Sequence, residues 1–142
     1  MRTKHFLAIL FLSLIGFLGQ SAWAASPDSA KDKVVFQVSD PVPGKWGLTL
    51  NNVNNLMDAL GSKVEIEVVV YGPGIGMLEL DSPVGDRVND AVNAGVKIVA
   101  CENTMKAKHL TKDDMLGSIG YVPGGVIEIM NKEQAGWAYI RP

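Results

Sequence analysis

VEIEVVVYGPGIG, Val64 to Gly76, is the stretch from which the rest of the chain can be read. Val64 to Tyr71 is nearly continuous in Val and Ile, interrupted only by Glu65 and Glu67, and that composition suits a strand. Gly72-Pro73-Gly74-Ile75-Gly76 closes it as a turn. Working back, Val34 to Val38 is a second β-branched run, ended by the turn Asp40 to Gly44. Between the two strands, Trp46, Leu50, Val53, Met57 and Leu60 recur at three- and four-residue steps. Asn51, Asn52, Asn54 and Asn55 take the other sides, so this is a helix, and Gly61 stops it.

Working forward, Pro83 to Ala94 places Val84, Val88, Ala91 and Val92 on one helical face and ends at Gly95. Val96 to Ala100 is a strand that runs into Cys101. Asn103 to Leu110 reads as a short helix, and Thr111 to Asp114 as the capped start of another. Ile119 to Val122 is a short strand, Pro123 to Ala135 a helix, and Trp137 to Ile140 the closing strand. Strand and helix alternate throughout, which predicts an α/β fold: a three-layer α/β/α sandwich around a mostly parallel five-stranded sheet. In such sheets the loops at the carboxyl ends of the strands form the ligand crevice. The loops after Val38 and Tyr71 and the one holding Cys101 should therefore share one edge.

The first residues have a separate purpose. Arg2 and Lys4 precede the apolar run Phe6 to Leu18, and Ala22-Trp23-Ala24 is a small-x-small cleavage pattern, so residues 1–24 read as a signal peptide. The run is shorter than the roughly 20 residues a spanning helix needs. The only cysteine is Cys101, so no lipid-bearing cysteine stands at the cut. The expected product starts at Ala25, is periplasmic and free of the membrane, and carries a flexible leader at 25–33 before one domain at 34–142. Removing 24 of the 142 residues takes the formal charge from −2 to −4 with no basic run, which argues against nucleic acid. A single cysteine also excludes an internal disulfide, so packing must hold the fold.

Cys101 is the candidate for chemistry. It follows a strand and precedes a helix, where unpaired backbone N–H groups and the positive end of the helix dipole favour a thiolate. Lys106, Lys108 and His109 would add positive potential and Glu102 would oppose it. The competing reading is a small buried hydrophobe. A third possibility follows from spacing: Cys101, Met105 and His109 are each four apart, and one continuous helix would present them as a soft-metal set suited to Cu(I). The Gly72 to Gly76 run fails as a dinucleotide fingerprint, because Gly76 follows Gly74 by two rather than three and no helix opens at once. It reads instead as a turn that approaches another loop closely and walls the pocket around Cys101. No serine elbow, paired-cysteine metal motif or phosphate loop is present, and no cofactor is expected.

With these residues in hand, the chain resembles the DsrE/DsrF-like family, in its secreted branch. The resemblance rests on KWGLTLNNVNNLMDAL, VEIEVVVYGPGIGML, GVKIVACENTMKAKHLTKDDML, YVPGGVIEIM and the terminal GWAYIRP. It implies a five-stranded parallel sheet of order 4-3-2-1-5 and a homo-oligomer, often a trimer or hexamer. It also implies a sulfur carrier in which Cys101 accepts sulfane sulfur as a persulfide from a small sulfur compound or a sulfur-carrier protein. Many members have a His where this chain has Tyr71. On this reading Asn103 and Thr104 donate to the anionic sulfur, and Tyr71, Gly72, Gly74 and Gly76 shape the pocket. The alternatives are a non-enzymatic oligomeric binding module with an inert cysteine, and the copper binder.

Overall fold

The computed structural model describes residues 31–142. The expected signal peptide lies outside the described residues, as does most of the expected leader. The leader's last two residues, Asp32 and Lys33, are already in the first strand, which begins two residues earlier than the hydrophobic pattern indicates.

Five strands, β1 (Asp32–Val38), β2 (Val64–Val70), β3 (Lys97–Cys101), β4 (Gly120–Val122) and β5 (Ala138–Ile140), form one sheet in the order β4-β3-β2-β1-β5. Every neighbouring pair is parallel, so all carboxyl ends fall on one edge. The register sets Val38 beside Val70 and Cys101 beside Val122 at that edge. The helices are α1 (Pro43–Leu60), α2 (Gly85–Asn93), α3 (Glu102–Ala107) and α4 (Gly125–Gln134). Among the described residues no helix is long and apolar enough to cross a membrane.

Because strand side chains alternate, each strand serves two layers. Phe36, Ile66, Val68, Ile98 and Ala100 face α1 and α2 and join Trp46, Leu50, Val53, Val88 and Met105 in the main core. Val35, Val69, Val99 and Val122 face the other way and pack on Ile129 of α4 and on Trp137, with Tyr71 against them. The sandwich is therefore three-layered, with one helix among the described residues on its second face.

Several expected boundaries shift, α4 for example starting at Gly125 rather than Pro123. The Gly-rich run is not an open turn: Gly72–Leu78 winds as a 3-10 helix that buries Ile75, Met77 and Leu78 in the main core. The second helix starts at Gly85 rather than Pro83. The helix after Cys101 begins at Glu102 and stops at Ala107, before Leu110. Thr111 does cap, through a reciprocal box with Asp114, but only a single 3-10 turn follows.

Candidate functional site

Cys101 ends β3 and is the N-cap of α3, with extended backbone angles. Its side chain points to the α4 face, in the same layer as Val99. Only 5% of the residue is exposed, yet its sulfur is not enclosed by hydrocarbon alone. The backbone N–H of Gly125, the first residue of α4, donates to Sγ at 3.2 Å. That residue must lack a side chain: a Cβ there would lie 2.9 Å from Cβ and Cδ1 of Tyr71.

Two further connections tie the edge together. Thr104 Oγ1 accepts from the N–H of Gly72 at 2.9 Å, which links α3 to the 3-10 helix. The N–H of Asn103 donates to the carbonyl of Pro123 at 3.2 Å, which links α3 to the segment entering α4. Burial pushes the Cys101 thiol up, but the Thr104 hydroxyl outweighs it together with the N–H groups of Gly125, Thr104 and Asn103, so the pKa is lowered from the ordinary thiol value. Tyr71 moves the other way. Its own burial, with Tyr139 and Cys101 nearby, raises the phenol above its usual range and keeps it neutral, although Arg141 and Ser39 oppose the shift.

The structure thus brings Cys101, Asn103, Thr104, Tyr71 and Gly72 to one corner. The other two glycines do different work. Gly74 lies against β1, where a Cβ would sit 2.8 Å from the Val38 carbonyl oxygen, so it provides the close approach between loops. Gly76 faces the indole of Trp46, 3.2 Å from where a Cβ would be, in the main core and not at the sulfur. Lys106, Lys108 and His109 are exposed and are not among the main causes of the Cys101 shift.

The soft-metal set is not assembled. The helix meant to carry it ends at Ala107, and His109 follows in a left-handed conformation at φ 57°. Met105 is buried in the main core, on the far side of the sheet from the Cys101 side chain. Among the described residues no three His, Cys, Asp or Glu side chains group as metal ligands.

Gly125 is the site residue that sequence reasoning missed. Its signal was Pro123-Gly124-Gly125, two glycines opening a helix, where Ser, Thr, Asp or Asn would be the usual cap.

These features define a parallel α/β protein with one helix-capped thiol at the carboxyl edge of its sheet. The DsrE/DsrF-like family model matches residues 32–142, and the chain belongs to that family. Membership suggests a sulfur-relay-like role. A solved protein of unknown function from Methanobacterium thermoautotrophicum is 38% identical, with a TM-score of 0.76 over 79% of this chain and all of that one. Another, a conserved protein of unknown function from Bacteroides thetaiotaomicron, is 16% identical with a TM-score of 0.66 over 82% of this chain and 100% of that one, and is similar in fold. No curated protein matches the chain.

Proposed function

We propose that this is an exported, periplasmic sulfur-binding or sulfur-transfer protein in which Cys101 takes up sulfane sulfur as a persulfide. The observation that carries the reading is the Gly125 N–H at 3.2 Å from Sγ, part of a donor set that favours the thiolate. The thiolate attacks the outer sulfur of a donor such as thiosulfate. An S–S bond forms at Sγ, the donor's S–S bond breaks, and its electron pair leaves with sulfite. The same N–H and hydroxyl donors would hold the persulfide anion. A small donor suits a sulfur so little exposed.

Mass spectrometry tests this. Reduced protein incubated with thiosulfate or polysulfide should gain one sulfur atom, and Cys101→Ala none; equal labelling of the two would end the proposal. The low exposure of Cys101 favours a second reading, an oligomeric binding module with an inert cysteine. Alkylation separates them. A working thiol reacts in the native state at neutral pH, whereas an inert one reacts only after unfolding.

Export is supported by the charged start, apolar run and cleavage pattern of the first 24 residues. Recovery from the periplasm with Ala25 as first residue would be the expected result. Self-association is part of the proposal. A parallel sheet needs both faces covered, α4 is the one helix on the second among the described residues, and it leaves Val126, Ile127 and Met130 exposed there. A second copy packed on that stripe would complete the layer, and Ile127→Lys should then reduce the species seen by light scattering to a monomer.

A further inference from the structure

Glu67 is a carboxylate buried completely in the middle of β2, on the same sheet face as Cys101. Buried charge of this kind persists only when paired. Two ammonium groups reach its Oε2: Lys132 of α4 at 2.7 Å and Lys97 of β3 at 3.0 Å. Both contacts are ionic rather than well-directed hydrogen bonds, and Oε1 has no donor among the described residues. The two lysines differ in situation. Lys97 keeps 56% of its side chain exposed, whereas Lys132 keeps 17%, lies 4.1 Å over the ring of Trp137 and stands 3.6 Å from Glu128.

Lys132 follows Gly125 by seven residues. Seven residues are almost two full turns, about 10 Å along the axis, so both project from the same side of α4. Ile129, between them, is buried against the sheet on that side. At one end of this face the helix meets Glu67; at the other, its first N–H meets the sulfur. The apolar contacts of Ile129 and Trp137 are non-directional and do little to stop α4 sliding or turning. A bond of 3.2 Å tolerates very little of either.

We propose that Glu67 is a positioning residue for the Cys101 thiolate: paired with Lys132, it fixes the register of α4 and so keeps the Gly125 N–H on the sulfur. This rests on the reading of Cys101 as a working thiolate. Glu67 itself is held ionised, since Lys132 and Lys97 overcome the burial that would raise its pKa. Lys97, Lys132 and Glu128 are the charged groups that face it, and Tyr71 is the titratable group beside the thiol.

The experiment is the pH profile of iodoacetamide alkylation of the mature chain, which reports the thiol pKa without any sulfur donor. Positioning predicts that Glu67→Gln and Lys132→Met both move the midpoint upward, by about half a pH unit or more. Lys97→Met removes the other cation without touching α4 and should leave the midpoint in place. Simple charge effects predict opposite signs, because deleting an anion favours the thiolate and deleting a cation disfavours it. Opposite shifts, no shift in a folded Lys132→Met protein, or an equal shift in all three variants would overturn the proposal. Should Glu67→Gln fail to fold, Lys132→Met carries the test, with Lys132→Arg expected to restore the midpoint. If the predicted shifts are found but no sulfur is taken up, sulfur transfer fails while the positioning role stands.

Discussion

The two faces of the sheet are built on different terms. Toward α1 and α2 lies a large apolar core in which Phe36, Leu50, Ile75, Met77 and Leu78 are all but fully buried. Toward α4 the apolar cluster is only Val35, Val69, Val99, Val122, Ile129 and Trp137, and it shares its layer with Cys101, Glu67 and Tyr71. One face is held by packing, where shape matters and no residue is chemically special. The other buries groups that cost free energy unless each finds a partner, and the partners come from α4, from α3 and from Lys97 of β3. Stability and chemistry are thus divided between opposite sides of one sheet.

The sharpest test of that division is Phe36→Ala. Emptying a fully buried aromatic site in the main core should cost about 3–5 kcal/mol in urea unfolding and leave the thiol pKa of the surviving folded protein unchanged. A shift of the thiol pKa would show that the two faces are not independent. Gly125→Ala probes the other side with a smaller stability cost. The new methyl must displace Tyr71 or the start of α4, at about 1–3 kcal/mol. Here the main change is chemical: with its nearest N–H donor moved, Cys101 should titrate closer to about 8.5, and alkylation at neutral pH should slow. Unaltered titration would mean that the Gly125 contact does not hold the thiolate.

Most of the scaffold could be read directly because it is local. The β-branched runs and the three- and four-residue steps of α1 identify strands and helices without knowledge of what they touch, and alternation then gives the sheet. The family resemblance supplied the strand order, which the observed β4-β3-β2-β1-β5 matches. The failures are all long-range or conformational. Glu67 looked like an irregularity in an apolar strand, because Lys132 comes to it only through the packing of α4. Gly125 reaches Cys101 by the same route. The four-residue spacing of Cys101, Met105 and His109 assumed a helix that continues, but it ends at Ala107 and its only buried residue is Met105. In Gly72–Leu78 the glycines and proline indicated a turn, but the run winds as a 3-10 helix whose burial of Ile75, Met77 and Leu78 depended on a core not visible from the run itself.

The smallest effect is the most diagnostic, since it asks whether Cys101 belongs to the packing or to the chemistry. Cys101→Ala removes one sulfur from the thinner layer and should change stability by about 1 kcal/mol or less near neutral pH, far below the Phe36 variant. The difference between wild type and variant should also depend on pH. Donors in the fold depress the thiol pKa, so the thiolate stabilises the folded state fully above the unfolded value of about 8.5, and that contribution is lost as pH falls through the folded pKa. Wild type should therefore gain on Cys101→Ala as pH rises toward about 8.5 and hold a constant lead above it, measured as the separation of urea midpoints at fixed slope. An inert, apolar cysteine gives the opposite trend, because burial without donors raises its pKa and the fold then loses stability as the unfolded thiol ionises. The sign of that slope decides whether this face of the sheet is a second core or a site.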